Sequence, residues 1–264
     1  MNGRTIIRGV VMPILSILLV YVVWALIIRV FNIQTYVAPS PDEAIAALRD
    51  NWSILWPLAI DTIRETVYGF VIGAGLGVLL AVVMAQTRIL RGLIYPILVV
   101  SQAVPMIAIA APLVIMLGFG MAPKIVIVAW IVFFPVAVSA LDGLTNVDRD
   151  LINLAHVMGG SRWRVFWVIR LPATVSPLYS GLKIGATYAV TGAIIGELVA
   201  STGGSLAGFQ RTANANLDTP AVWGVTLLMT AIGIGWFLLV VSLEYLTTPW
   251  KHRSTKRRLA RGKH

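Results

Sequence analysis

Residues 66–86 read TVYGFVIGAGLGVLLAVVMAQ, which is 21 residues without a charged side chain. About 20 consecutive apolar residues are needed to cross a bilayer as an α-helix, so this stretch predicts a membrane-spanning helix. Its glycines Gly69, Gly73 and Gly77 recur every four residues and form one smooth stripe along that helix. Small residues at this spacing let two membrane helices approach each other, and the stripe predicts such a contact.

The rest of the chain follows the same pattern. It is 58% hydrophobic and only 12% charged, whereas ordinary globular domains carry about 25% charged residues. We therefore predict an all-α, polytopic membrane protein in which the 264 residues form a single transmembrane domain. Cysteine is absent and no two of the three histidines lie at ligand spacing, so no metal site is predicted. Six spans are predicted, at about residues 9–28, 66–86, 93–119, 125–141, 178–200 and 222–243.

The distribution of charge predicts how the spans are oriented. The formal net charge is +10, and seven of the 21 lysines and arginines lie in a basic tail, residues 247–264. With both termini inside, the inner segments contain fifteen of these residues and the outer segments five, while Lys183 lies within a span. Cytoplasmic segments of membrane proteins carry the excess of basic residues. Both termini are therefore predicted to be cytoplasmic, and the tail is interpreted as a mark of that side rather than as a nucleic-acid site.

A short surface helix is predicted between the first two spans. Ser40, Pro41 and Glu43 form the sequence pattern of a capping box with proline at the first helical position. The amphipathic stretch that follows predicts a helix that ends near Arg49 and lies at the membrane surface.

The third span is interrupted by Pro96, Pro105 and Pro112 and contains the polar residues Ser101 and Gln102. Proline removes a backbone hydrogen bond, and within a membrane the freed carbonyl groups must be satisfied by neighbouring protein or by water. The pattern is typical of a helix that lines a pathway, but a kinked packing helix accounts for it equally well. Gln102 and Pro105 are selected as candidate pathway residues.

Two charged side chains fall inside the fifth span, where ionisable residues are costly and usually face protein or water. Glu197 is predicted either to line a pathway near the outer gate or to make a structural hydrogen bond there. Lys183 is predicted to reach toward the cytoplasm or to pair with a carbonyl group, with lining of a pathway as the alternative. The Gly/Ser/Asn-rich stretch that follows, residues 201–218, is predicted as a loop.

The segment between the fourth and fifth spans, residues 142–172, is the long inner connection of the chain. Residues 150–158 predict a short helix, which the glycine pair 159–160 ends, because glycine adopts the left-handed conformation found at helix C-termini. Ser161 predicts the N-cap of a second helix, which Pro172 stops. Such a bent pair, apolar toward the membrane domain and basic at its tip, predicts either a docking surface for a cytoplasmic partner or an amphipathic pair on the inner membrane surface.

This segment has a recognisable spacing. It contains Asn153-Leu154-Ala155, three residues, Gly159, nine residues and then Ile169-Arg170-Leu171-Pro172. The spacing resembles the signature of permease subunits of bacterial ATP-binding-cassette (ABC) importers, which reads E-A-A, three residues, G, nine residues and I-x-L-P. Asn153 and Leu154 depart from the glutamate and the alanine of the family, and every fixed interval matches.

Most of the chain is similar to the nitrate/sulfonate/taurine-type branch of that family. The marks of the branch are Pro39-Ser40-Pro41, residues 104–108, residues 111–113, Gly118-Phe119-Gly120, Lys124 and Gly196-Glu197. Residues 133–136, 181–183 and 191–194 are closer to permeases for thiamine pyrimidine precursors and riboflavin. The resemblance implies a small solute of one of these kinds.

In this family the segment is the coupling helix, which sits in a cleft of the ATPase subunit. The resemblance therefore implies a type I importer permease of the bacterial inner membrane. It implies a second permease copy, two ATPase subunits that bind ATP and magnesium, and an extracytoplasmic solute-binding protein. The permease itself then has no catalytic residue, metal or cofactor. The residues assigned to coupling are Asn153, Leu154, Ala155, Gly159, Arg162, Trp163, Arg164, Ile169, Leu171 and Pro172.

An ion-coupled secondary transporter is the alternative function. Such a protein needs coupling acids or inverted halves. Glu197 is the one intramembrane acid that the apolar pattern offers for this role.

Overall fold

The computed structural model describes residues 3–201 and 204–249, so the predicted basic tail at 247–264 lies outside the described residues from residue 250 onward. The described residues form eleven α-helices, and a π-helical turn, Phe166–Arg170, joins the eighth helix to the ninth. The predicted all-α fold is confirmed. In chain order the helices are α1 (Gly3–Val30), α2 (Pro41–Asp50), α3 (Trp52–Gln86), α4 (Arg88–Ser101), α5 (Met106–Leu117), α6 (Met121–Thr145), α7 (Arg149–Val157), α8 (Arg162–Val165), α9 (Leu171–Ala200), α10 (Leu206–Ala215) and α11 (Thr219–Thr247).

Several of these helices are long and apolar enough to cross a membrane. Four segments meet both conditions among the described residues: Trp52–Gln86, Met121–Thr145, Arg162–Ala200 and Thr219–Thr247. The pair α4 and α5 makes a fifth if it forms one broken span, and Leu15–Val30 of α1 is a shorter apolar stretch. The polytopic membrane fold is confirmed, and the count of six spans stays a prediction.

The helices extend beyond the predicted apolar intervals. Helix α3 begins at Trp52 instead of near residue 66, because the charged residues before its apolar run find partners. Arg64 Nη1 lies 3.1 Å from Asp61 Oδ1, and Glu65 Oε1 lies 2.7 Å from Lys124 Nζ. A paired charge costs less to place in a helix that enters a membrane than an isolated one.

The predicted third span, residues 93–119, is broken into two helices. The chain bends by 96° between α4 and α5. Pro105 lies at the break as the N-cap residue of α5, whereas Pro96 and Pro112 lie inside the two helices. Proline disfavours the helical conformation in the residue before it, which explains why the helix is interrupted at Val104.

The described residues form two compact units, and the first consists of residues 3–59 and 204–230. Within it, Trp24 packs against Trp223 with the ring centroids 5.0 Å apart. Gly224 lets α11 approach α2, since a Cβ at this position would lie 2.9 Å from the carbonyl oxygen of Ala44. These contacts join α1, α2 and the first part of α11.

The predicted capping box of α2 is confirmed. Ser40 Oγ accepts the backbone N–H of Glu43 at 3.3 Å, and Glu43 Oε2 accepts the backbone N–H of Ser40 at 2.7 Å. The donation from the Ser40 backbone holds the pKa of the Glu43 carboxyl below its ordinary value. This reciprocal pair fixes where the chain leaves α1 and enters α2.

Among the described residues, the second compact unit consists of residues 60–201 and 231–249. Its core is the contact between α3, α6 and α9, in which the buried residues include Phe70, Val128, Val132 and Ala189. The glycine stripe of α3 lies in this contact: a Cβ on Gly73 would lie 2.9 Å from the Cα of Ala129, and one on Gly77 would lie 2.8 Å from the carbonyl oxygen of Phe133. The predicted close packing along the stripe is confirmed.

The stretch 201–218, predicted as a loop, contains helix α10. Ser205 caps this helix, because its Oγ accepts the backbone N–H of Gly208 at 3.0 Å, and Leu206 and Ala207 are buried. The small polar residues that suggested a loop include this cap and therefore mark the beginning of a helix.

Candidate coupling and translocation sites

The first helix of the coupling segment is α7, which begins after the capping residue Asp148. It ends at Gly159, which has a φ of +81°. Two backbone hydrogen bonds close this end: the N–H of Gly159 donates to the carbonyl of His156 at 3.0 Å, and the N–H of Gly160 donates to the carbonyl of Ala155 at 2.9 Å. This is the Schellman arrangement, which favours glycine in the left-handed position. The signature positions Ala155 and Gly159 thus define the turn at the tip.

The second helix of the segment does not stop at Pro172, and this prediction is wrong. Ser161 caps α8 as predicted, with its Oγ accepting the N–H of Arg164 at 3.3 Å. The π-helical turn then leads directly into α9, where the N–H of Leu171 donates to the carbonyl of Phe166. Proline cannot make the regular hydrogen bond, and its ring clashes with the carbonyl four residues earlier. A wider turn immediately before Pro172 relieves that clash, so the helix continues.

The coupling segment leaves apolar side chains uncovered. Leu154 is 56% exposed, Met158 79% and Trp163 69%, and Arg162 and Arg164 beside them are exposed as well. For these residues, the prediction that the apolar face packs toward the membrane domain is therefore wrong. The segment packs instead through Val165, which is buried, and through the half-buried Phe166. Exposed apolar side chains among basic ones are typical of an interaction surface.

The remaining coupling residues divide between exposed and half-buried positions. Asn153 and Pro172 are exposed, while Ala155, Ile169 and Leu171 are half-buried. The signature therefore contains residues that shape the segment from within and residues available to a partner.

A cavity of 420 Å³ lies at the base of the coupling segment. It is lined by Ala85, Gln86, His156, Arg162, Trp163, Val165, Phe166 and Arg170. Two arginines and a histidine face it, and no carboxylate is among these lining residues. Because its lining residues include two arginines, the cavity can bind an acidic or carbonyl-rich group of a partner.

A second cavity, of 230 Å³, lies where α4 and α5 are separated. It is lined by Gln102, Val104, Met106, Trp130, Ile131, Phe134, Pro135, Ile184 and Tyr188. The candidate pathway residue Gln102 is thus the C-cap residue of α4 and part of the cavity wall. Pro105 shapes the break as the N-cap residue of α5.

A buried polar cluster links α3, α6 and α9, and only one of its members was predicted. Thr62 donates a hydrogen bond to Glu197, the predicted member, and Lys124 Nζ donates to Glu65 Oε1 at 2.7 Å. The side chains of Lys124 and Glu65 are only 8% and 2% exposed, and Thr62 and Glu197 are buried as well. Thr62 and Glu65 are three residues apart and therefore lie on the same face of α3.

The sequence contained a partial signal for this cluster. Glu65 and Lys124 each stand within about one turn of the end of an apolar run, so hydropathy alone does not indicate that their side chains are buried. Gly196 permits the close approach, since a Cβ there would lie 2.9 Å from the Cα of Lys124. Glu197 is one of three glutamates, with Glu65 and Glu244, in helices that are long and apolar enough to cross a membrane.

Lys183 makes a contact between α9 and α11. Its Nζ lies 2.8 Å from Glu244 Oε2, and the two side chains are 30% and 12% exposed. One turn earlier on α9, Tyr179 accepts a hydrogen bond from Thr247 Oγ1 at 2.8 Å. Lys183 thus reaches a carboxylate rather than the predicted carbonyl group.

The four candidate pathway residues therefore fall in three places. Gln102 and Pro105 lie at the break and its cavity, Glu197 belongs to the buried polar cluster, and Lys183 belongs to the α9–α11 contact. The structure does not gather them into one site.

Residues 73–250 match the family described as binding-protein-dependent transport system inner membrane component. The matched region includes the coupling segment with its Schellman turn and the break between α4 and α5. The chain belongs to this family of ABC importer permeases. The predicted importer function is confirmed. This permease is a multi-pass protein of the inner membrane and a transport subunit.

Three relatives are similar to this permease. The formylaminopyrimidine transport permease protein ThiX of Halalkalibacterium halodurans is 29% identical over 91% of this chain and 96% of its own. The riboflavin transport system permease protein RibX of Chloroflexus aurantiacus is 27% identical over 89% of this chain and 88% of its own. The taurine transport system permease protein TauC of Escherichia coli is 32% identical over 66% of this chain and 63% of its own. The predicted branch of the family is confirmed.

Proposed function

We propose that two copies of this permease enclose one translocation pathway and present two coupling segments to two separate ATPase subunits, which hydrolyse ATP with magnesium. Each copy acts as one transmembrane domain with six spans and cytoplasmic termini. A solute-binding protein delivers the solute at the outer mouth. The observation that carries this proposal is the exposed apolar and basic surface that the coupling segment builds around Gly159.

Two features support the coupling role. Water-exposed Leu154, Val157 and Met158 form an apolar surface that a partner can bury, and burial of apolar surface is the main favourable term in association. In addition, α8, the π-helical turn and α9 form one helical segment, Arg162–Ala200, that runs from the coupling segment into the membrane. A displacement of the ATPase subunits can therefore reach the pathway without crossing a flexible loop.

The solute belongs to one of two groups in this proposal. One group consists of thiamine pyrimidine precursors and riboflavin-like compounds, and the other of sulfonate-, taurine- or nitrate-type anions. ThiX and RibX align with a larger share of this chain than TauC does, which supports the first group.

Co-purification with the ATPase subunit tests the proposal, with Leu154→Asp as the variant and Leu217→Asp as its matched control. Both leucines are exposed, and Leu217 lies in the connection between α10 and α11, on the predicted outer side. A carboxylate in an apolar contact is desolvated without a partner, so Leu154→Asp is expected to reduce the retained ATPase at least tenfold, roughly the effect of one interface hot spot. Leu217→Asp is expected to retain it.

Solute uptake by vesicles that contain the complete importer is the second measurement, and it shows whether docking of the ATPase subunit drives transport. Uptake in the wild type is expected to require ATP and to be lost in Leu154→Asp. If Leu154→Asp kept both the ATPase subunit and ATP-driven uptake, the coupling segment would not be the docking surface. If uptake survived the removal of ATP and followed an ion gradient, the ion-coupled alternative would replace the proposal.

A further inference from the structure

The 230 Å³ cavity at the α4–α5 break lies midway along α6 and α9. Phe134 is near the middle of α6, and Ile184 and Tyr188 are near the middle of α9. Gln102 lies in the break itself. Non-helical backbone at membrane depth is tolerated where it lines a cavity, and broken helices form the solute sites of many transporters. A solute that crosses the membrane along α6 and α9 has to pass the depth at which this cavity lies.

The cavity has no charged side chain among its lining residues. The two lysines in the described part of the chain are engaged elsewhere, Lys124 by Glu65 and Lys183 by Glu244. An anion such as a sulfonate would therefore give up its water of hydration without gaining a counter-ion, which is strongly unfavourable. The one electropositive group at the cavity is the N-terminus of α5, which has no side-chain cap and carries a partial charge of about one half. That partial charge suits a carbonyl oxygen or ring nitrogen of a neutral solute.

Aromatic rings form a large part of the cavity wall. Trp130, Phe134 and Tyr188 all line it, and Trp130 and Phe134 meet edge to face with their centroids 5.4 Å apart. Trp130 and Tyr188 are exposed. Aromatic side chains bind planar heterocycles by stacking, and this interaction does not depend on the substituents of the ring because every such ring has a π-face.

Three polar groups stand among these rings. They are the amide of Gln102, the indole N–H of Trp130 and the hydroxyl of Tyr188. Within the described residues, none of these side-chain groups makes a hydrogen bond to the protein. Together they offer donors and acceptors at a short distance from a stacking surface, which is what the polar edge of a nitrogen heterocycle requires.

We propose that this cavity is a solute-binding site of the permease and that it takes an uncharged, planar aromatic heterocycle, with Tyr188 and Trp130 as the stacking residues and Gln102 as the hydrogen-bonding residue. The inference rests on the proposed importer function and narrows its solute to the first of the two groups. The permease then contributes to solute selection, since the uncharged wall rejects sulfonate-type anions.

Direct binding to the assembled importer in lipid nanodiscs, without ATP and without the solute-binding protein, tests the proposal. The probes are riboflavin, followed by the quenching of its fluorescence, and radiolabelled formylaminopyrimidine, with taurine as the competitor. At least one heterocycle is expected to bind, and taurine is expected not to displace it. Tyr188→Leu is expected to weaken binding about tenfold or more, since it removes one stacking ring, whereas Tyr188→Phe keeps the ring and most of the affinity.

Tyr68→Leu is the matched control, because Tyr68 is 52% exposed and Tyr188 is 54% exposed, and both lie in membrane helices. The control is expected to leave binding unchanged. The proposal is overturned if neither heterocycle binds, if taurine displaces the bound heterocycle, or if Tyr188→Leu and Tyr68→Leu behave alike. It is also overturned if Tyr188→Leu and Tyr188→Phe both separate the two permease copies, since the cavity would then be a contact between copies.

The two proposals fail in different ways. ATP-driven uptake of taurine by the wild-type importer, without binding of a heterocycle, would leave the importer function standing and remove this site. Loss of all contact with the ATPase subunit would instead remove the proposed function, and it would be visible before any solute is added.

Discussion

Lys124 shows how much one buried contact changes the interpretation of a charge. Its partner Glu65 precedes it by 59 residues, and both side chains are almost completely buried. Hydropathy places Lys124 in an outer turn, and the count of outer basic residues includes it. Since Lys124 lies inside the protein next to its partner, the outer segments expose four basic residues instead of five. The predicted orientation is therefore favoured more strongly than the sequence alone indicates.

The two lysines that form ion pairs, Lys124 and Lys183, are expected to differ in their effect on stability. Lys124→Met leaves Glu65 in a buried site without its cation, which costs roughly 3–5 kcal/mol in free energy of unfolding when one partner of a buried pair is removed. Lys183→Met acts on a pair whose side chains are 30% and 12% exposed, so water compensates part of the loss. The thermal unfolding of both variants in detergent measures the difference, and Lys124→Met is expected to be the less stable.

The double variant Glu65→Gln/Lys124→Met separates the charge from the packing. It is expected to recover part of the stability lost in Lys124→Met, because no unpaired carboxylate of Glu65 remains. Equal unfolding temperatures for Lys124→Met and the double variant would argue against an ion pair as the stabilising contact.

Gly159→Ala is expected to change the turn of the coupling segment. Nothing lies within 4 Å of a Cβ at this position, so any cost of Gly159→Ala comes from its φ of +81°. The left-handed conformation costs an L-residue roughly 1–2 kcal/mol, and the turn is expected to shift away from it. Gly92→Ala is the control, because Gly92 also faces open space but lies inside α4. ATPase activity of the assembled importer is expected to fall in Gly159→Ala only, and a similar fall in Gly92→Ala would contradict this account.

At the scale of the elements, α3 and α6 are held together by glycines on one face of α3. The backbone of α6 approaches so closely at Gly73 and Gly77 that no side chain fits between the helices. In a membrane, helices associate through such close packing rather than through the hydrophobic effect, because lipid is as apolar as the helices themselves.

Gly73→Ala and Gly75→Ala form a matched pair on this helix. A methyl group on Gly73 meets the backbone of Ala129, which cannot move aside without displacing α6, so this variant is expected to unfold at a clearly lower temperature. A methyl group on Gly75 meets nothing within 4 Å, and alanine is about 1 kcal/mol more favourable than glycine within a helix. Gly75→Ala is therefore expected to unfold at the same or a higher temperature. If both variants lost stability equally, the glycines of the stripe would be explained by the flexibility that they give α3 and not by close packing against α6.

The sequence predicts single elements well and contacts between elements poorly. The apolar runs locate α6 and α11, and the Gly-Gly pair and Ser161 locate the turn of the coupling segment, because these features depend on neighbours within a few residues. The continuation through Pro172 was not predictable from the proline alone, since it depends on the π-helical turn before it. The pairs Glu65–Lys124 and Lys183–Glu244 lie on different helices, and hydrophobic periodicity does not specify which helix faces which. The same reason hides the cavity, whose wall comes from α5, α6, α9 and the break between α4 and α5.

At the scale of the whole molecule, the direction in which the chain is inserted decides which surface meets the ATPase. The coupling segment follows α6, and the connection that contains α10 follows α9. If α9 crosses the membrane as predicted, these two segments lie on opposite sides, and the excess of basic residues predicts that the first of them is cytoplasmic.

The absence of cysteine from the sequence makes this orientation directly testable. Asn146→Cys and Asn216→Cys each introduce one thiol at an exposed helix end. In intact cells an impermeant maleimide is expected to label Asn216→Cys and to label Asn146→Cys only after the membrane is opened. Labelling of Asn146→Cys in intact cells would reverse the predicted orientation and exclude the coupling segment from contact with a cytoplasmic ATPase.

The uninterrupted helical segment Arg162–Ala200 has a mechanical consequence. Its 39 residues, at about 1.5 Å per residue, make a rod roughly 58 Å long, with exposed Trp163 near one end and buried Glu197 near the other. A rod of this kind turns as a lever, and the displacement at each end grows with the distance from the pivot. Its π-helical turn lies in its first quarter, close to the proposed ATPase end, so a pivot at this turn would leave the long arm on the side of α9. If the coupling segment docks on the ATPase subunits as proposed, small movements of those subunits would be amplified, and the transport rate would depend on the stiffness of the long arm.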